Sequence, residues 1–203
     1  MSIPSGLITL NSHMLAVVDT ETTGLVSGYH DLVQVAILPL NSDLEPCKDI
    51  NPFYMNMKPD FPERASPQAL AKNGLSLEEL AMAPDKYDVA DYLDEWFREL
   101  QLPLGKRIIY LCQNSPFDVA FLKSWLGPDA FDQYFARRGR DTMFSANMIN
   151  DRAALRGQPI PFSNVRLEGL ANFFGIPYEN AHDALADCII TGKVYRELLR
   201  FEI

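Results

Sequence analysis

The sequence predicts an α/β fold in which helices pack against a mixed sheet, and three observations predict it. Two short runs rich in β-branched residues, 14–18 (MLAVV) and 32–40 (LVQVAILPL), read as buried strands. Polar residues that interrupt an apolar run mark strand-to-helix steps, as at Asn114-Ser115-Pro116. Between residues 86 and 100, Tyr87, Ala90, Leu93, Phe97 and Leu100 recur at spacings of three and four, as the core face of an amphipathic helix does.

Taken in order, a leader over residues 1–13, punctuated by Pro4 and Gly6, precedes a single domain over 14–203. The first apolar run stops abruptly at Asp19, with Asp19 and Glu21 ending the strand, the second covers 32–40, and residues 50–57 alternate well enough to form a third. Gly24, Gly28 and Pro46 punctuate the turns between them. Two X-Pro steps, Phe61-Pro62 and Ser66-Pro67, open a short helical stretch that ends at Asn73-Gly74, where Gly74 suits a left-handed C-cap. After the helix over 86–100, Pro103 and Gly105 turn the chain into a further strand over 106–112. Ser115 then reads as an N-cap with Pro116 at the first helical position, starting a helix that runs to about Leu126. Residues 131–155 read as mostly helical with a break at Gly139, and 167–174 as a short helix closed by Gly175. The last helix covers 183–200, with Leu185, Cys188, Tyr195 and Leu199 on its core side.

Composition limits the function. With 203 residues, 47% hydrophobic and 22% charged, the chain can bury a sizeable core, which excludes disorder and collagen-like structure. A net charge of −9 repels polyanions, so a phosphate ligand needs local cations. Residues 137–166 offer six arginines against two aspartates, whereas 78–99 hold eight acids against two bases. Cys47, Cys112 and Cys188 form no C-x-x-C pair and leave one over in any disulfide scheme, which points to a reducing compartment, the cytoplasm. No apolar run approaches the ~20 residues of a membrane span, so no membrane association is expected.

Chemistry concentrates at a few positions. Asp19 and Glu21 are two residues apart at a strand end, so both carboxylates fall on one face. Either a divalent cation sits between them, or one caps a turn built on Thr22-Thr23-Gly24 while the other is solvated. Asp118 has capping-box spacing from Ser115 and reads alone as a cap. His182 precedes Asp183, a natural N-cap for the last helix, and Asp187 lies one turn further in. Together the four carboxylates and the histidine could meet at one sheet edge. Four acids could hold two divalent ions, the arrangement that clamps attacking and leaving oxygens in phosphodiester hydrolysis, with a histidine beside them to take a proton from water.

Val18-Asp19-Thr20-Glu21-Thr22-Thr23-Gly24-Leu25 resembles the first motif of the DEDDh 3′→5′ exonucleases. Asn114-Ser115-Pro116-Phe117-Asp118 resembles the second, and His182-Asp183-Ala184-Leu185-Ala186-Asp187 the H-x-A-x-x-D third, in the family's order and separations. Residues 66–75 are similar to the helix and turn that follow the third strand in proofreading exonucleases and ribonuclease T. The resemblance implies an RNase H-like mixed five-stranded sheet with one antiparallel strand, flanked by helices. It also implies that Asp19, Glu21, Asp118 and Asp187 bind two divalent cations, Mg²⁺ or Mn²⁺, with His182 as general base. Thr22, Thr23 and Leu25 would hold the terminal nucleotide, Leu25 wedged against its base, with Asn114 and Phe117 opposite. Asp183 is not carried over, and Gln113 stands where many members have histidine. The activity implied is removal of nucleoside 5′-monophosphates from the free 3′ end of single-stranded or frayed nucleic acid, DNA slightly favoured over RNA, with Arg137, Arg138 and Arg140 as candidates to guide the backbone. The alternatives are a proofreading or accessory subunit of a DNA polymerase or of a replication or repair complex, docking through the acidic helix over 86–99, and a non-catalytic nucleic-acid-binding module.

Overall fold

The computed structural model describes residues 13–178 and 182–203; the expected leader, apart from His13, lies outside them. Five strands, β1 (Met14–Thr22), β2 (Leu32–Pro39), β3 (Phe53–Asn56), β4 (Ile108–Cys112) and β5 (Arg140–Asp141), form one sheet in the order β3-β2-β1-β4-β5. β2 runs antiparallel to β1 and β3, while β1, β4 and β5 are mutually parallel. The RNase H-like topology expected from the motifs is thus present.

The alternation of β1 splits the core in two. Met14, Ala16 and Val18 face α3 (Lys86–Glu99) and α4 (Ser115–Leu126), where Val89, Leu93, Phe121 and Leu122 are buried. Leu15 and Val17 face α8 (Ala184–Arg200), whose Cys188 and Tyr195 pack on them. With helices on both faces, the central strands need apolar residues throughout, which is why they were readable as unbroken runs. Among the described residues no helix is long and apolar enough to cross a membrane.

The elements depart from expectation where tertiary context decides. β1 runs beyond the apolar run and one residue past Glu21, to Thr22, pairing Glu21 with Gln34, with a bulge between Glu21 and Thr22. The ladder with β2 satisfies this polar stretch, so the end of the apolar run marked the end of the core and not of the strand. The third strand is only four residues long. The helical stretch at the X-Pro steps divides into a short 3₁₀ turn, Pro62–Arg64, and α1 (Pro67–Asn73), closed by Gly74 in the left-handed region as expected. A further helix, α2 (Leu77–Leu80), starts on a capping box between Ser76 and Glu79.

In α3 the buried residues are Val89 and Leu93, and Tyr87 is exposed. The region expected to be helical over 131–155 is instead α5 (Pro128–Tyr134), the short strand β5, and α6 (Thr142–Leu155). Gly139 permits the passage, because a Cβ there would collide with the Tyr110 ring. α7 (Leu167–Phe173) precedes α8, whose Cys188 and Tyr195 are buried as expected, while at its end Leu198 is buried in place of the exposed Leu199.

Candidate active site

Three elements converge at the end of β1. Asp19 and Glu21 point to the α8 face of the sheet, standing opposite Ala36 and Gln34 of β2. Thr20 points the other way and its hydroxyl donates to Asp118 Oδ1 at 2.8 Å, tying the first turn of α4 to the strand end. Asp118 therefore does not close the capping box expected with Ser115. The residue before α4 is Asn114, with φ of +66°, and the helix start is capped from outside by Asp141, whose carboxylate accepts from Ser115 N at 2.6 Å and Asn114 N at 3.4 Å. That arrangement leaves the Asp118 carboxylate turned toward β1.

On the third element Asp183 caps α8 as expected, its Oδ1 accepting from Leu185 N and Ala186 N at 3.1 and 3.0 Å. Asp187 follows one turn later, and His182 N donates to its Oδ2 at 3.4 Å. Ligand atoms of Glu21, His182 and Asp187 lie within 4.8 Å of one another. Asp187 Oδ1 is buried and has no hydrogen-bond partner among the described residues. An anionic oxygen left in that state is costly unless a cation meets it. Of the five expected residues, Glu21, His182 and Asp187 form this close group, while Asp118 is tied to the same strand through Thr20 and Asp19 feels the charges of Asp118, Asp187 and Glu21.

The electrostatics agree. Burial pushes the Asp19 carboxyl well above the carboxylate range, and Asp118, Asp187 and Glu21 push it further. Glu21 is pushed up to about 8, by burial and then by Asp187. Burial takes Asp118 up to about 7 against the opposing Thr20 hydroxyl, and raises Asp187 as well. The nest is short of positive charge, and its hard oxygen donors suit Mg²⁺ or Mn²⁺. Asp19, Glu21, Asp118 and Asp187 are the residues that could hold such ions.

These shifts carry a linkage sign. A carboxyl raised on folding contributes stability in full below its ordinary value, 4.5 for Glu21 and 3.8 for Asp118, and loses it as pH rises through the folded values of about 8 and 7. In EDTA the melting temperature is therefore expected to fall between about pH 5 and 8, and saturating Mn²⁺ should flatten the fall by stabilising the ionised forms. Thermal scans across that range test this; a melting temperature indifferent to pH in EDTA would contradict the buried nest.

The residues expected to hold a nucleotide take different positions. The Thr22 hydroxyl donates to Gly24 O at 2.6 Å, so the turn is built by threonine and not capped by Asp19 or Glu21. Thr23 is fully buried: its N–H donates to Asp31 O, its hydroxyl accepts from Asp31 N, and its carbonyl accepts from Ser66 N. It braces the loop and presents no side chain to a ligand. Leu25, on that loop, is 82% exposed. Asn114 is exposed, and Phe117 is half-buried against Phe121 with ring centroids 4.9 Å apart.

Of the arginines, Arg137 pairs with Asp132, Arg140 lies against Tyr195, and Arg138 is exposed. The cation whose field lowers Asp19, Glu21 and Asp187 is Lys72 in the last turn of α1, a helix pinned to β1 by Asn73 Nδ2 donating to Thr22 O at 3.3 Å. Neither Lys72 nor Asp141 stood out in the sequence. Asp141 before Thr142 has the form of an N-cap, but the helical reading of 131–155 ran across it.

Known proteins share this fold. Over 185 residues the chain is 26% identical to the 3′-5′ exonuclease DinG of Staphylococcus epidermidis, an alignment covering 88% of this chain and 17% of that protein. The chain thus spans about a sixth of that curated relative's length. Exonuclease I has the same fold at a TM-score of 0.69 and 22% identity, over 93% of this chain and 41% of that one. E. coli exonuclease I in complex with a dT13 oligonucleotide superposes equally well, with a TM-score of 0.69 at 21% identity over 92% and 41%. The nuclease domain of 3′hExo, a DEDDh family member bound to rAMP, matches at a TM-score of 0.66 and 15% identity over 92% of each chain. Residues 16–195 match the RNase T exonuclease family, and the chain belongs to it.

Proposed function

We propose that residues 14–203 form one metal-dependent 3′→5′ exonuclease domain that hydrolyses the terminal phosphodiester bond of single-stranded or frayed nucleic acid and releases nucleoside 5′-monophosphates. Asp19, Glu21, Asp118 and Asp187 hold two divalent cations, Mg²⁺ or Mn²⁺, and His182 is the general base. The observation that carries this reading is an unpaired, buried oxygen on Asp187, a residue whose carboxylate groups with donors of Glu21 and His182 within 4.8 Å of one another and whose charge acts on Asp19. When bound, the ions supply Lewis acidity at the phosphate and make water a stronger acid. The chain itself does the rest. Thr20 holds Asp118 in place, Thr23 and Gly24 brace the loop so that exposed Leu25 can wedge against the last base, and His182 accepts the proton of the attacking water.

An unpaired end suits the site, because a wedge beside one nucleotide requires that base to be unstacked. The dT13 bound to exonuclease I supports single-stranded DNA as substrate, and the rAMP bound to the 3′hExo nuclease domain is of the product type proposed here. The three buried, unbridged cysteines fit work in the reducing cytoplasm. Incubating a 5′-labelled single-stranded oligonucleotide with the protein and Mg²⁺ or Mn²⁺ should give a ladder shortening one nucleotide at a time, with 5′-monophosphates as the released products. An oligonucleotide left intact under both ions would remove the proposal.

A further inference from the structure

The end of α8 that carries His182 is held by more than its own helix. Asp183 needs only Oδ1 to cap the first turn, yet its Oδ2 accepts a hydrogen bond from the Tyr54 hydroxyl of edge strand β3. The next residue, Ala184, donates its N–H to Gln34 Oε1 at 2.8 Å. Gln34 is 3% exposed, and its Nε2 donates to Asn56 Oδ1 at 2.7 Å and to the Tyr54 hydroxyl at 3.2 Å. The donors run in one direction, from Gln34 to Tyr54 to Asp183, so every group in the chain is used. Gln34 stands directly opposite Glu21 in the sheet and opposite Asn56 on its other side. A continuous row thus joins a carboxylate of the site, through two strands, to the residues that follow His182.

His182 has φ of +74°, a conformation that a residue with a Cβ keeps only when its surroundings over-determine it. Behind it the backbone N–H is bonded to Asp187; ahead of it lie the Asp183 and Ala184 contacts to β2 and β3. From this geometry we infer that Tyr54 and Gln34 are positioning residues for His182: they lock the start of α8 to the sheet edge, so that the imidazole is aimed at the acidic nest. The inference rests on His182 acting as the base in the function proposed above. Neither residue touches the reacting atoms; Tyr54 acts through the Asp183 carboxylate and Gln34 through the Ala184 N–H.

The test is a double-mutant cycle of Tyr54→Phe and His182→Ala, read as kcat and KM on a 5′-labelled single-stranded oligonucleotide and as Mn²⁺ affinity by calorimetry. Tyr54 is 39% exposed on an edge strand, so losing one hydroxyl leaves the fold in place. Tyr54→Phe should lower kcat about tenfold, the scale expected when a reacting group is misplaced by a fraction of an ångström, with KM and Mn²⁺ affinity unchanged. In the His182→Ala background the same substitution should have no further effect. Gln34→Met, which keeps the volume and loses the amide, should reproduce the split. An unchanged kcat, an effect that multiplies with that of His182→Ala, or a loss of Mn²⁺ affinity would overturn the positioning role while leaving the exonuclease standing. If His182→Ala alone left kcat intact, both the base assignment and this inference would fall.

Discussion

An Asp19→Asn variant is expected to lose hydrolysis by about a hundred- to a thousandfold, the scale seen when a group that organises transition-state charge is removed. The same variant should no longer bind Mn²⁺ tightly. Asp19 is singled out because its carboxyl feels all three of the other acids, Asp118, Asp187 and Glu21, from β1, the strand on which the rest of the site is assembled. Asparagine keeps the size and one oxygen acceptor but removes the charge, so the loss isolates electrostatics from packing. Stability should move the other way. Without metal, an ionised Asp19 bears the cost of burial and the repulsion of Asp118, Asp187 and Glu21, so Asp19→Asn should melt higher than the parent in EDTA, while the parent alone gains from added Mn²⁺. Turnover on a labelled oligonucleotide, Mn²⁺ calorimetry and thermal scans in EDTA report the three effects. Turnover within a few-fold of the parent would mean that the nest does not carry the chemistry.

What the sequence reveals about this site follows from range. Capping and punctuation are local, so Asp183 as N-cap and Gly74 as C-cap were legible from a few residues. The three motifs were legible because each is contiguous, and the family resemblance they carry implied the antiparallel strand that β2 supplies. Contacts between distant residues were not. Thr20 meets Asp118 across 98 positions, and Gln34 meets Ala184 across 150. Nothing in the pattern around Tyr54 announces that its hydroxyl reaches Asp183, since that depends on the β2–β3 register. The two-residue β5 has no periodicity to detect and exists because β4 offers it an edge. By contrast, the capping box of Ser76 and Glu79 was present in the sequence as S-x-x-E, and α2 could have been read from it.

His182→Ala sets the sharpest condition on the mechanism, because the geometry allows two roles. Its ring lies close enough to Glu21 and Asp187 to share a cation with them, yet its backbone N–H, and not its ring, bonds Asp187. The carboxylates already form an oxygen-rich set suited to hard ions, to which an imidazole adds little, whereas the attacking water needs a proton acceptor at the rim. The alanine variant is therefore expected to lose about 10²–10⁴ in kcat, the usual share of a general base. Mn²⁺ affinity should stay within a few-fold of the parent. Imidazole added to the assay should restore part of the rate, since a diffusible base can occupy the space the side chain leaves. Collapse of Mn²⁺ affinity with no rescue would make His182 a ligand, and proton transfer would then have to be assigned to another group or to solvent.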